Sequence, residues 1–249
     1  MLVFLINALK IIFLLGILVF IHEGGHFVVA KLCKVKVNEF ALGFGPTLVS
    51  KIIGDTKYAI HIIPLGGYVD LEGEEEHSDK EGSFSKASIP KKIAILLAGG
   101  AVNILFGILL YFVLILYVAD CSNFIEKLQF AIANTGEFIS SIFIGLKDLF
   151  TGKVGFNQMT GIVGISNMVV KTSGIVNYLY LMGVISLSLG ITNLLPFPPL
   201  DGGKIVIYII EAIRRKPLNE NFEIKLQIAG FTLLILLSIY VTYLDILRI

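Results

Sequence analysis

The sequence predicts an α-helical polytopic membrane protein with four transmembrane helices, a small membrane-associated β-sheet loop and an interfacial amphipathic helix. Three observations carry this expectation. Hydrophobic residues make up 55% of the 249 and charged residues only 16%, a balance too apolar for a soluble domain of this size. The apolar residues fall in blocks long enough to cross about 30 Å of hydrocarbon. Between the first two blocks lies a stretch of another kind, made of short β-branched runs punctuated by glycine.

Taken in order, the first span covers residues 1–34. Lys10 and Lys31 bracket about 31 Å of helix, close to one hydrocarbon thickness. This run is too long for the core of a signal peptide and has no small-residue cleavage site before Lys31, so it is expected to be retained. Residues 35–72 form the membrane-associated β region: VKVNEFALGFG, TLVSKII and KYAIHIIPLGGYV read as strands. Residues 73–92 are a cytoplasmic loop, and EGEEEHSDKEGS (72–83) reads as a solvated charged segment. The second span, 93–119, is free of charge throughout IAILLAGGAVNILFGILLYFVLILYVA.

An outer-side connection follows at 120–173. In it, Phe138, Ile139, Ile142, Phe143, Leu146 and Leu149 recur at helical spacing, while Glu137, Ser140, Ser141, Lys147 and Asp148 occupy the other side. A helix over 128–150 is expected to lie on the interface and to present Phe138, Ile142, Phe143 and Leu146 to lipid. The third apolar region, 174–213, is interrupted by LPFPPLDGG. Its prolines end a helix near Leu195, and a short helix is expected to restart after the glycines. A cytoplasmic loop at 214–227 leads to the last span, 228–249.

Lys and Arg set the orientation. The 31–92 stretch holds nine lysines and 204–225 adds five basic residues, against four in 120–173. The first two stretches are therefore expected in the cytoplasm and both termini outside, in a multi-pass cell (inner or plasma) membrane protein. A net charge of +1 leaves no surplus for nucleic acid, so the expected partners are the lipid bilayer and other membrane proteins. Cys33 and Cys121 fall on opposite sides in this topology and are not expected to pair.

The chemistry is concentrated in FIHEGGHFVVAK. His22 and His26 are one helical turn apart, so both imidazoles can reach one ion. Glu23 adjoins the first of them, placed to take a proton from an attacking water. The pattern H-E-x-x-H is the zinc-peptidase signature. Gly24 and Gly25 weaken the helix and are expected to admit another backbone. A catalytic zinc wants a third protein ligand, and Asp201, in a proline-stiffened turn at matching depth, is the carboxylate that stands out. His61 and His77, in the cytoplasmic loop, are not expected to bind metal. Asn193, eight residues before Asp201, is a candidate substrate contact. Asn103 in AGGAVN could instead serve helix packing, as the glycines beside it do. A zinc transporter or sensor would place ligands on broken helices open to both sides and would not need a general base. An inactive scaffold would not need Glu23.

HEGGH, ALGFGP, PLGGYV, AGGAVN, GIVGIS and NLLPFPPLDGG, in this order and over nearly the whole chain, resemble the bacterial site-2 proteases, intramembrane zinc metalloproteases of the regulator-of-sigma-E-protease type. The resemblance implies zinc held by His22, His26 and Asp201, with Glu23 as catalytic base. It implies substrate contacts at Asn193, Asn103, Gly66 and Gly67, the last two on a sheet edge offered to an unwound substrate. It also implies regulated intramembrane proteolysis of single-span membrane proteins such as anti-sigma factors or signal-peptide remnants. Three features depart from the pattern. The PDZ module usual on the outer side after the second span is missing, Ile162 stands where proline is common, and Gly24 stands where a bulkier residue is common.

Overall fold

The computed structural model describes residues 2–248 apart from 75, 77, 156 and 157, so His77 lies outside the described residues. In chain order the elements are α1 (Leu2–Leu32), β1 (Val37–Ile53), β2 (Thr56–Leu71), α2 (Ile89–Val118), α3 (Phe124–Phe150), α4 (Ile162–Lys171), α5 (Ile175–Asn193), α6 (Asp201–Arg214) and α7 (Glu220–Arg248). Four of them, α1, α2, α5 and α7, contain stretches long and apolar enough to cross a membrane. The 27-residue α3 is longer than α5 but is not among them. Charges at Glu126, Lys127, Glu137, Lys147 and Asp148 dilute its apolar face.

The β region takes a simpler form than a set of short strands. β1 and β2 make one two-stranded sheet, joined by a tight turn at Gly54, whose φ of +62° glycine adopts without strain. The ribbon folds back on itself. Phe40 stands opposite both Val69 and Tyr58, and Leu42 opposite both Gly67 and Ile60. Segment 39–42 thus has a partner on each side, and 67–71 is left at the margin.

Two compact units divide the chain: residues 1–103 with 189–230, and residues 104–188 with 231–249. In the first, α1 ends in a Schellman motif. The Val35 N–H donates to the Ala30 carbonyl (2.8 Å) and the Lys34 N–H to the Lys31 carbonyl (3.0 Å), with Lys34 left-handed at φ +61°. Val35 and Ala30 then join Val37, Leu71, Phe84 and Ile95 in one buried cluster. This cluster ties the end of α1 to the sheet and to the start of α2.

Segment 72–83 is more than a solvated loop. The Ser78 hydroxyl donates to Glu72 at 2.7 Å and Lys80 pairs with it at 3.0 Å. These contacts hold the Glu72 carboxyl below its ordinary pKa. The Glu74 carboxylate accepts a 2.8 Å bond from Lys204 of α6. The loop is therefore fastened at Glu72 and at Glu74.

In the second unit, Phe138 does not face lipid. It is buried and stacked on Tyr111 of α2, with ring centroids 4.1 Å apart and planes within 8°. Burial follows the stripe Ala131, Thr135 and Phe138, while Phe143 and Ile144 are exposed. The apolar face of α3 is buried at its centre, while apolar side chains toward both ends, Phe124 and Ile125 as well as Phe143 and Ile144, are exposed. A further helix, α4, arises within the 120–173 connection. Its N-terminus is held by Asp245 of α7, whose Oδ2 accepts from the Gly161 N–H (2.9 Å) and the Gly164 N–H (2.8 Å). A carboxylate suits the free N–H groups and positive end of a helix. Asp245 is 3% exposed, so removing it leaves two donors unsatisfied. We expect Asp245→Ala to cost about 3 kcal/mol, read as a lowered unfolding midpoint in detergent. Asp245→Asn should cost less, because one amide oxygen can accept both bonds.

Candidate metal centre

α1 is helical through residues 22–26, so His22 and His26 share a face, with their Nε2 atoms 3.2 Å apart. Each lies 3.3 Å from Asp201 Oδ2. The three ligand atoms form a nearly equilateral triangle. Bonds of about 2.0 Å to a tetrahedral centre would place ligand atoms about 3.3 Å apart. The site therefore fits zinc without rearrangement. Its chemistry agrees: Asp201 Oδ2 is buried and receives no hydrogen bond, a costly arrangement unless a cation answers it. His22, His26 and Asp201 are the group among the described residues able to share one ion.

The supporting shell explains how the rings are aimed. His26 Nδ1 donates to the Ile95 carbonyl of α2 at 2.8 Å, which leaves the Nε2 lone pair for the metal. The amide nitrogen of Asn193 lies 3.5 Å from Nδ1 and 3.4 Å from Nε2 of His22, so it rests against the imidazole ring. Asp201 is the first residue of α6, preceded by Leu200 as N-cap. It does not cap its own helix, and the helix restarts ahead of Gly202 and Gly203, not after them.

Space for the rings comes from glycine. A methyl group on Gly99 of α2 would overlap His26 Nε2 and would stand 2.8 Å from His22 Cε1. One on Gly25 would stand 2.6 Å from the Ala98 carbonyl oxygen, so α1 and α2 touch backbone to backbone there. Gly24 has open space instead, and only Gly25 of the pair admits another backbone.

The remaining sequence candidates divide. Gly67 lies beside α1: a methyl there would be 3.0 Å from Val19 Cγ1 and 3.5 Å from Glu23 Cγ. Glu23 is thus adjacent to the margin of the sheet. Gly66, with φ +95°, packs against the Phe44 ring. Asn103 is fully buried on α2, one turn beyond Gly99 and on the same face. His61 contacts Glu39 (3.6 Å) and Tyr68 (3.3 Å) and is not part of the ligand group.

Sequence reasoning missed Ile95 and the Glu74–Lys204 pair. A backbone carbonyl leaves no residue-type signal, and a charged loop reads as solvated until its partner is known. Gly99 was open to detection, since AGG already pointed to a close-packing face. We expect Gly99→Ala to lower zinc per purified chain at least about tenfold, as loss of a ligand-orienting contact does, with His22→Ala as the reference. Gly24→Ala should keep full zinc and stabilise α1 by about 1 kcal/mol.

Residues 10–237 match peptidase family M50. Three relatives align over almost their full length and share the name "putative zinc metalloprotease". That of Clostridium acetobutylicum is 25% identical over 96% of this chain and 97% of the relative. Those of Fusobacterium nucleatum and Campylobacter jejuni are each 27% identical, over 94% and 98% of this chain and 96% and 94% of theirs. The first alignment runs over 329 positions, more than the 249 residues present here, so that relative carries segments this chain lacks. Only residues 119–123 connect α2 to α3, which leaves no room for a PDZ module between them. The family match over most of the length, the aligned relatives and a His-His-Asp triangle of tetrahedral dimensions agree: the chain belongs to peptidase family M50, a family of zinc metalloproteases.

Proposed function

We propose that this protein is an intramembrane endopeptidase, cutting peptide bonds in or near the transmembrane segments of single-span membrane proteins. Anti-sigma factors and signal-peptide remnants are the substrate classes favoured by the resemblance to site-2 proteases. The observation that carries the reading is the ligand triangle on a helix of membrane-spanning length, with Glu23 beside a sheet margin. Zinc held by His22, His26 and Asp201 would supply Lewis acidity for the scissile carbonyl and for water. Glu23 takes the proton of the attacking water and returns it to the leaving amine. Asn193, against the His22 ring, is placed to steady the carbonyl oxygen, and Asn103 lines the same face of α2.

A helical substrate hides its carbonyls in its own hydrogen bonds and must be unwound before attack. Added as a strand along Gly66–Val69, it would keep its backbone satisfied where water is scarce. In support, among the described residues segment 67–71 pairs within the sheet only with 37–42, and Gly67 adjoins Glu23. Exposed Phe44, Leu48, Val49, Ile52, Ile60 and Ile63 make a surface suited to lipid, where such a substrate resides.

We expect Glu23→Gln to retain one zinc per chain and to lose cleavage of a single-span substrate by about 10³-fold or more. Asp201→Ala should lose zinc and activity together. A transporter would move zinc normally with Gln at position 23, so unchanged cleavage or unchanged metal flux in that variant would overturn the peptidase reading.

For orientation we propose both termini outside and the zinc site toward the cytoplasmic side. Single cysteines introduced at Asn123 and Gly155 should react with an impermeant thiol reagent applied from outside. Those at Glu81 and Asn219 should not. Outside labelling at Asn219 would reverse the assignment.

A further inference from the structure

Where α1 leaves its apolar stretch at Leu32 and α2 begins at Ile89, the chain encloses a cleft of about 620 Å³. That lies within the size range of small-molecule sites, about 300–1,000 Å³. Five lysines line it, Lys31, Lys34, Lys36, Lys86 and Lys91, against the two carboxylates of Asp55 and Glu81. The lysines are only partly engaged. Lys31 donates to the Thr56 hydroxyl and Lys91 to the Cys33 carbonyl, both neutral partners. Lys36 is 4.0 Å from the Glu72 carboxylate, whereas Lys86 is tied to Asp79, donating to its carbonyl with its carboxylate 3.6 Å away. Among the described residues no carboxylate pairs with Lys34. Its position is also unusual, being the left-handed residue of the Schellman motif at φ +61°, where glycine is usual and a side chain is strained.

The level of the cleft narrows its ligand. It sits at the ends of two membrane-spanning helices, where phosphate headgroups meet hydrocarbon. Val28 and Leu32, one turn apart and flanking Lys31, are 53% and 76% exposed. They present an apolar track leading out of the cleft. A free phosphate would use the lysines alone, whereas a phospholipid uses both the lysines and the track. Asp55 and Glu81 would accept hydrogen bonds from headgroup hydroxyls.

We propose that this cleft binds the phosphate headgroup of an anionic phospholipid, with an acyl chain lying along Val28 and Leu32 of α1. Spans that carry basic pockets at their ends recognise such headgroups by charge and hydrogen bonding together. The site is separate from the zinc ligands and does not depend on proteolysis.

The test uses the full-length purified protein in neutral detergent, with lipid bound per chain counted by native mass spectrometry. The wild type should retain phosphatidylglycerol over phosphatidylcholine by about tenfold or more. Lys34→Gln with Lys36→Gln and Lys91→Gln should abolish that preference while leaving zinc content unchanged. A matched variant, Arg214→Gln with Arg215→Gln and Lys216→Gln, removes the same charge from an exposed stretch elsewhere and should keep the preference. Lys34→Gly, which relaxes the turn, should raise the unfolding midpoint and lower phosphatidylglycerol retention, so a folding defect in the triple variant cannot mask the result. Equal loss in both triple variants would reduce the effect to diffuse charge and overturn the proposal. So would a wild type without preference. Displacement of phosphatidylglycerol by an equal concentration of inorganic phosphate would overturn the lipid assignment, because the acyl track would then contribute nothing.

Discussion

Three ligand atoms within 3.3 Å of one another must be delivered by segments far apart in the sequence, and close backbone packing at glycines helps to hold those segments in place. Ordinary helices are kept 8–10 Å apart by their side chains. Here the intervening side chains are absent where they would interfere. Gly25 meets the Ala98 carbonyl, Gly99 leaves room for both imidazoles, and Gly100 faces the Gly190 carbonyl at 2.9 Å from where a methyl would be. Gly202 nests under the Leu194 and Leu195 carbonyls, and Gly230 of α7 under that of Pro198. Each glycine weakens its helix by about 1 kcal/mol relative to alanine. The return is a site whose ligands are positioned by main chain, which has few ways to move.

A second constraint is that an apolar solvent cannot satisfy a sheet's backbone. The doubled ribbon answers it by giving segment 39–42 partners on both sides, so the exposed apolar side chains of β1 and β2 cover a largely paired backbone. What is left at the margin lies where chemistry can use it, with Gly67 next to Glu23. The parallel stack of Phe44, Tyr68 and His61, with planes within 15° and 20°, braces that margin from the sheet side. An edge strand is ordinarily a liability. Within the proposed function it is the docking surface, and its stiffness matters as much as its exposure.

The parts of the fold written in residue type were readable from the chain alone. Four spans, the histidine pair and the proline turn each follow from composition or spacing, and the carboxylate at 201 followed from asking what a third ligand would require. Features set by tertiary partners were not readable. Phe138 belongs to an amphipathic stripe whether it meets lipid or Tyr111, and nothing local decides between them. Glu74 looks solvated until Lys204 arrives from 130 residues away. Asp245 in the last span carries no local signal of its partners, yet it holds the start of α4, a helix that GIVGIS did not announce. Strand length is hidden from the sequence for a related reason. Glycines at 43 and 45, with φ of +83° and +87°, interrupt the alternation without ending the strand.

The turn LPFPPLDGG shows how several demands meet in few residues. The helix before it must stop, and the prolines at 196, 198 and 199 remove the donors that would extend it. The carboxylate must remain an anion where charge is costly, and placing Asp201 in the first turn of α6 sets it at the positive end of that helix. The adjoining cation must not capture it, and Lys204, one turn along, is already bonded to Glu74 at 2.8 Å. Finally the helix must lie against the preceding carbonyls, which Gly202 and Gly203 permit because a side chain at either position would collide with residues 194–198. Asp201 thus owes its availability to neighbours that each deny it an alternative partner, leaving the two imidazoles and the metal between them as its natural company.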